Sequence, residues 1–472
     1  MKLTPFIFLF FIISAAASAQ SRQQQKVDSV FQQVKTYFNQ KNADAIYNMA
    51  GAGFQKELTI DAFLNVANKQ LFPLGAIKES SLSSFVNNKV ATYKLKFEGI
   101  TLQLLMSLDK RDKLDLFLFQ EYAEPPTNKT ALVITSNKLR TEMDKKVDTV
   151  ARKYIQKSNT VGVIIGIING GKTYTYSYGE TIKHNGKLPN ADNFFEIGSI
   201  TKTFTATLLA YYVNEGKIKL TDPIAKFLPD SVAANPQLHS ITLQELANHT
   251  SGLARLPDNL VPHAADPLNP YKDYTKELLY AYLKTCKLES KPGEKYAYSN
   301  LAVGLLGNIL ETVNGEPFSQ MVREVISKPL LMFSTDQYLN PLLAPRFVQV
   351  YNASGQPTEP WDFDGLAACG ALRSTLNDML LYAKANLHPG TDKLSQAIAL
   401  THKVTFSKDV KIALAWHVII VNGVEYYYHN GITNGSNCFM AFNPEKNIAV
   451  VVLSNAVEST DEVGTGVLKG LQ

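Results

Sequence analysis

Strand-forming sequence brackets helix-forming sequence over residues 136–472, and this arrangement constrains the fold more than any other feature. Val161 to Ile168 is rich in β-branched residues, and Thr173 to Tyr178 alternates hydroxyl and aromatic side chains. Strand patterns return near the far end, in Ala415 to Ile420, Val424 to Tyr428, Asn437 to Phe442 and Ile448 to Leu453. Between them, from Thr201 to Leu387, the pattern is mostly helical with long loops. A domain with strands at both ends must bring both termini into one sheet to bury them. The expected architecture is of the α/β (α+β) class. Its antiparallel sheet is closed by N- and C-terminal strands, with flanking helices and a mostly helical insert. A helix with Leu139, Met143, Val147, Val150 and Tyr154 on one face leads into this region, and a final helix starts near Asp461.

One phosphate-loop match is discarded. Gly166 to Thr173 fits G-x-x-x-x-G-K-[ST]. That loop works only where a helix follows and turns its N-terminus on the phosphates. Here the continuation Tyr174-Thr175-Tyr176-Ser177-Tyr178 is a strand pattern, so Asn169-Gly170-Gly171 reads as a hairpin turn.

Residues 24–122 form a separate small α+β pattern. Val27, Val30, Phe31, Val34 and Phe38 recur at helical spacing. A second helix is expected over Ala43 to Ala50, and a third after Thr59-Ile60-Asp61, capped by Thr59 or Asp61. Val90 to Phe97 then alternates, and Ile100 to Leu108 is apolar. Asp109 to Asp112 makes a turn, and Leu114, Leu116 and Leu118 are expected on one face of the next strand. Helices followed by an antiparallel meander resemble a nuclear-transport-factor-like cone. Such a cone suits a small ligand or a docking role, with the partner open. The linker 123–135 begins with Ala123-Glu124-Pro125-Pro126, which breaks both periods.

Residues 1–19 have the three parts of an export signal: Lys2, the short apolar run Phe6 to Ile13, and Ala17-Ser18-Ala19 before Gln20. No later run is long and apolar enough to span a bilayer. The expected location is outside the cytoplasm, periplasmic or secreted. The formal charge of +5 is spread along the chain, which speaks against a nucleic-acid surface. Cys286, Cys369 and Cys438 are odd in number and form no CxxC pair, so they are expected mainly as small buried side chains. The eight His show no HExxH or paired zinc spacing; neither a metal nor a cofactor is expected.

Three short patterns carry chemistry. Gly198-Ser199-Ile200-Thr201-Lys202 runs into the helical stretch Thr203 to Val213, which puts Ser199 at a helix N-terminus and Lys202 on the same face. A neutral lysine there can take the proton of a serine hydroxyl and make it a nucleophile. Tyr298-Ser299-Asn300 precedes another helical run, Leu301 to Leu310. A tyrosine beside a lysine can relay protons, and an asparagine can hold a substrate amide. His429-Asn430-Gly431 lies by a strand, where glycine lets a substrate approach the strand edge. The backbone N–H groups of Ser199 and Ile432 are candidates for an oxyanion hole.

S-x-x-K, Y-x-N and H-x-G in this order resemble the serine β-lactamase and D-alanyl-D-alanine carboxypeptidase superfamily, in particular its class C-like branch. Leu246 to Leu253 and Gly370 to Asp378 fit the same branch. The resemblance covers residues 136–472. It implies Ser199 as nucleophile, Lys202 as base and Tyr298 as proton relay. It further implies that Asn300 contacts the acyl amide, that His429 helps position Tyr298 or the leaving-group end, and that Asn430 and Gly431 are substrate-binding residues with them. The chain departs from the pattern at His429, where class C β-lactamases carry lysine, and at Asn430 and Ile432, where related peptidases carry hydroxyl residues. A substrate carboxylate loses partners there. The implied activity is acyl-enzyme hydrolysis of a small-molecule or peptide substrate, with a peptidase or amidase on D-amino-acid or cell-wall peptides favoured. A small-ester esterase, a weak β-lactamase and a non-hydrolytic penicillin-binding or sensor protein are the alternatives.

Overall fold

The computed structural model describes residues 22–86, 89–122, 132–266 and 268–472. The expected export signal and most of the linker lie outside them. The chain divides into two compact units, Met1–Glu124 and Pro125–Gln472.

The smaller unit is helices followed by a meander. Helix Arg22–Asn39 buries Val27, Phe31, Val34 and Phe38. Short helices Ala43–Asn48, Ala52–Glu57 and Ile60–Val66 follow, and Thr59 rather than Asp61 caps the last. Strands Glu79–Val86, Val90–Lys96, Thr101–Leu108 and Leu114–Glu121 pair in sequence order, all antiparallel. The first of these has a serine-rich sequence with no hydrophobic alternation, so its pairing was not legible. The expected Leu114–Leu116–Leu118 face is corrected by the structure. The register shifts between Ser107 and Leu108, which pair with Leu116 and Leu114. The extra residue, Asp115, reverses the parity of the strand. Leu114 stays buried, but Phe117 and Phe119 pack on the core and Leu118 is exposed.

The larger unit is built on an eight-stranded antiparallel sheet. Its order is Phe406–Ser407, Lys411–Ile412, His417–Val421, Val424–Ile432, Asn437–Asn443, Ile448–Ser454, Gly162–Asn169 and Lys172–Gly179. The C-terminal strand Ile448–Ser454 pairs with Gly162–Asn169, Val450 opposite Ile167, so both ends of the unit close one sheet as expected. These central strands are buried on both faces. Ile164, Met440 and Val451 point into the core shared with the helical insert. Ile165, Phe439 and Val452 point into a second core with the helices Glu142–Ile155 and Asp461–Leu471. The first of those helices starts later than its apolar spacing suggested. Thr141 caps it, and Leu139 lies outside it, exposed and with a positive φ. Asn169 pairs with Lys172 around Gly170 and Gly171, both in the left-handed region, as a two-residue hairpin turn requires.

Phe439 shows how tightly the second core is filled. Its ring lies 5.2 Å from that of Tyr428, and a Cβ on Gly464 would come within 2.3 Å of it. Phe439→Ala is expected to cost about 3–5 kcal/mol of stability, and Leu118→Ala in the smaller unit less than about 1 kcal/mol. Denaturant midpoints of the two variants check this.

Candidate active site

Ser199 sits where a strand turns into a helix. Strand Phe194–Glu196 pairs with Arg373–Thr375, a tight turn follows over Gly198–Ile200, and helix Thr201–Asn214 begins directly after it. Gly198 has φ +48°, which a side chain would resist. The turn leaves Ser199 half-buried and Lys202 fully buried one helical turn on.

The lysine amine has three partners: Ser199 Oγ at 3.0 Å, Asn300 Oδ1 at 2.8 Å and the Cys369 carbonyl at 2.6 Å. The two oxygens of Asn300 and Cys369 can only accept. Asn300 is oriented by its Nδ2, which donates to the Tyr271 hydroxyl at 3.0 Å. A neutral amine has two N–H groups and one lone pair. In the neutral form that a general base requires, N–H groups directed at Asn300 and Cys369 would leave the lone pair on the side of Ser199, the one partner that carries a proton.

Asn300 opens the helix Asn300–Asn314, whose cap is Ser299; its Oγ accepts from Ala302 N–H and donates to the Ala254 carbonyl. Capping thus fixes the residues on either side, and Tyr298 is set against the amine. Lys202 Nζ is 4.9 Å and the Arg255 guanidinium 5.0 Å from the Tyr298 ring centre. The His249 ring packs on Tyr298 at 4.4 Å, from a backbone held at φ +61°.

His429, Asn430 and Gly431 lie inside the strand Val424–Ile432 rather than beyond its end. His429 is buried, 6.3 Å from the Tyr298 ring. Asn430 turns to the other face of the strand, where its amide donates to the Asp461 carboxylate at 3.1 Å. Its side chain is therefore not among the groups around Ser199. A Cβ on Gly431 would come within 2.0 Å of the Ile197 carbonyl and 3.1 Å of Ser199 N. One on Gly198 would come within 2.7 Å of Ile432 N. Two glycines therefore let the strand edge and the nucleophile turn touch, with the backbone N–H groups of Ser199 and Ile432 at the seam. The Ile432 side chain is 52% exposed beside it.

Three histidines meet behind Tyr298. His417 lies 5.5 Å from His429 and 6.5 Å from His249. Ser299 N–H donates to His249 Nδ1, so His249 carries its proton on Nε2. His429 donates from Nδ1 to the Asn430 carbonyl, leaving Nε2 as an acceptor. The Tyr296 hydroxyl is 2.7 Å from His417 Nε2. Burial, then the positive charge of Lys202 among other causes, holds His249 well below the usual imidazole range. His429 is likewise depressed, by burial first and then by His417 and Lys202. Burial takes His417 down to about 4. All three rings are neutral near pH 7. Among the described residues no group of three or more His, Cys, Asp or Glu is arranged to hold a metal ion.

Sequence reasoning missed the Cys369 carbonyl, Tyr271, Arg255, His249 and His417. One had a signal: His249 lies in the Leu246 to Leu253 segment. A backbone carbonyl and a distant aromatic leave none.

A serine polarised by a buried lysine, beside a tyrosine and a pair of backbone donors, defines a serine hydrolase of the acyl-transfer type. The chain belongs to the Beta-lactamase family, which matches residues 126–469. It is 26% identical over 351 residues to a β-lactamase of Pseudomonas fluorescens, covering 67% of this chain and 94% of that protein. It is 34% identical over 245 residues to the D-alanyl-D-alanine-carboxypeptidase/endopeptidase AmpH of Escherichia coli K12, covering 51% of this chain and 61% of that protein. The fold matches a β-lactamase/D-alanine carboxypeptidase from Pseudomonas syringae with a TM-score of 0.62 at 24% identity, over 70% of this chain and 98% of that one.

Gly431→Ala must push the strand edge off the nucleophile turn; kcat is expected to fall about 10²-fold, the cost of an ångström-scale misplacement. Steady-state kinetics on the folded variant measure it. The ring-proton NMR shifts of His249 and His429 are expected to stay flat from about pH 8 to 5.5, where a free imidazole titrates.

Proposed function

We propose that the protein is an exported hydrolase that works through a Ser199 acyl-enzyme on amide bonds, in D-amino-acid peptides or peptidoglycan-type fragments. The observation that carries this reading is the arrangement of Lys202, whose buried amine lies 3.0 Å from Ser199 Oγ and has two pure acceptors, Asn300 Oδ1 and the Cys369 carbonyl, as its other partners. In this mechanism Ser199 Oγ attacks the substrate carbonyl and Lys202 takes its proton. The oxyanion is held by the N–H groups of Ser199 and Ile432, each such donor being worth roughly 2.7–4 kcal/mol. Tyr298 returns a proton to the leaving amine, and His429 positions Tyr298. Water then releases the acyl group, restoring the hydroxyl. Asn300 contacts the acyl amide.

Arg255 favours a peptide over a neutral ester. It is exposed, lies against Tyr298, and makes no ion pair among the described residues. A guanidinium at the mouth of the site compensates for the carboxylate partners that His429, Asn430 and Ile432 do not supply. The similar β-lactamase and carboxypeptidase/endopeptidase act on amide bonds by their names, which agrees with this choice. Export rests on the signal pattern of residues 1–19. Among the described residues no helix is long and apolar enough to cross a membrane. Residues 24–122 are proposed as a docking domain.

Intact-mass time courses with a labelled penicillin, D-amino-acid amides and acyl esters test the reading. Transient acylation with turnover of the D-amino-acid amide is expected, and a stable adduct on every substrate would mean a sensor instead. Ser199→Ala is expected to lose on the order of 10⁶ in kcat; full activity in that variant would sink the assignment. Arg255→Ala is expected to raise KM about tenfold for a peptide with a free carboxylate, and little for its amidated twin, as loss of a charge-assisted hydrogen bond predicts.

A further inference from the structure

Glu196 lies three residues before Ser199 and is 3% exposed. A buried carboxylate needs donors, and three reach it. Trp361 N–H donates to Oε1 at 2.8 Å. The hydroxyls of Thr433 and Ser436 donate to Oε2 at 2.8 Å and 3.3 Å. These donors come from segments far apart in sequence. Trp361 packs on Tyr271, 5.1 Å between ring centres, and Tyr271 in turn accepts from Asn300. Thr433 and Ser436 form the turn that follows Ile432. The Thr433 oxygen also accepts from the N–H groups of Gly435 and Ser436 at 3.4 Å and 3.1 Å, so its single proton is committed to Glu196.

The charged and titratable neighbours do not replace these donors. Arg373 stands opposite Glu196 on the short two-stranded ladder. Its guanidinium is bonded to Asp362 and to the carbonyls of Trp361 and Gln337. The Cys438 thiol donates to the Glu196 backbone carbonyl, and burial keeps that thiol protonated. Glu196 therefore meets its neighbours almost wholly through neutral donors.

We infer that Glu196 is a positioning residue whose carboxylate holds the Thr433–Ser436 turn, and through it the Ile432 N–H, in register with the Ser199 N–H. The inference rests on the acyl-enzyme reading above. It means that the oxyanion hole is assembled only while Glu196 accepts from both hydroxyls. Burial pushes the carboxyl up to about 7, against the pull of its hydrogen bonds. A protonated carboxyl turns one acceptor oxygen into a donor, which neither the Trp361 N–H nor the Thr433 oxygen, already accepting from two N–H groups, can receive, so Ser436 would have to turn round to accept it. Activity is thus high when Glu196 is ionised and falls as the pH drops through about 7.

The test is Glu196→Gln, which places an amide NH2 among those donors. The kcat is expected to fall at least about tenfold with KM changed less than about threefold, the pattern of an interaction made in the transition state. Affinity for a boronic acid, whose bound oxygen occupies the oxyanion hole, should fall in parallel. The acid limb near pH 7 should vanish from the kcat profile. Thr433→Val should reproduce the loss, Thr433→Ser should restore most of it, and Glu196→Gln/Thr433→Val should be no worse than either single variant. Where Glu196→Gln does not fold, the Thr433 pair carries the test. Wild-type kcat, a loss confined to KM, an unchanged acid limb or additive losses in the double variant would each overturn the inference. If Ser199→Ala is dead while Glu196→Gln behaves as wild type, only this inference fails. If Ser199→Ala is active, the acyl-enzyme reading fails with it.

Discussion

A lysine amine with no exposure to water is among the most expensive groups a fold can bury, and Lys202 is tolerated because three oxygens receive it. Much of the helical insert is arranged to deliver two of them. Helix Asn300–Asn314 brings Asn300 by its own first residue. It then lies so close to the turn Ala367–Cys369 that a Cβ on Gly304 would meet Leu366 at 2.4 Å and one on Gly307 would meet Ala368 at 2.2 Å. That close approach carries the Cys369 carbonyl to the amine. Two glycines far from Ser199 therefore decide which carbonyl reaches the Lys202 amine.

The sheet supplies the other half of the site by the same device. Strand Val424–Ile432 can touch the nucleophile turn because Gly431 and Gly198 have no side chains at the contact. Neither half is a loop that could move freely. Ser199 lies in the turn that leads into helix Thr201–Asn214, buried from Thr201 to Ala210, and residues 427–432 of the strand pair with Asn437–Phe442. Preorganised donors on rigid elements avoid reorganisation during the reaction, which is where such sites gain most of their rate.

The sequence made the outline of this arrangement readable because its signals are local. The sheet of the larger unit follows from runs of Ile and Val at both ends, and the hairpin at Gly170–Gly171 from two adjacent glycines. Ser199 and Lys202 follow from one helical turn. What was not readable depends on chain segments meeting from far apart. The bulge at Asp115 is set by the pairing partner, so it reversed the expected face of Leu116 and Leu118. The side of the strand taken by Asn430 depends on whether His429 is buried, and a spacing of one residue cannot tell which alternates inward. Cys369 contributes an atom that every residue has. His417 stands beside His429 only because two strands pair, His417 opposite Tyr428.

The distribution of charge completes the logic. His249 and His429 pack on Tyr298, His417 packs on both of them, and burial keeps all three neutral. The Lys202 amine and the Arg255 guanidinium both lie against the Tyr298 ring. A neutral histidine at 429 lets the site keep a hydrogen-bonding group next to Tyr298 without placing a buried cation close to the Lys202 amine. In the proposed mechanism, a lysine in that place would raise the cost of protonating Lys202 when it takes the Ser199 proton. The exposed Arg255 can carry positive charge at lower cost, because water screens it. In the proposed mechanism, the two jobs that one strand lysine could combine, supporting the tyrosine and attracting an anion, are divided between a buried imidazole and a solvated guanidinium.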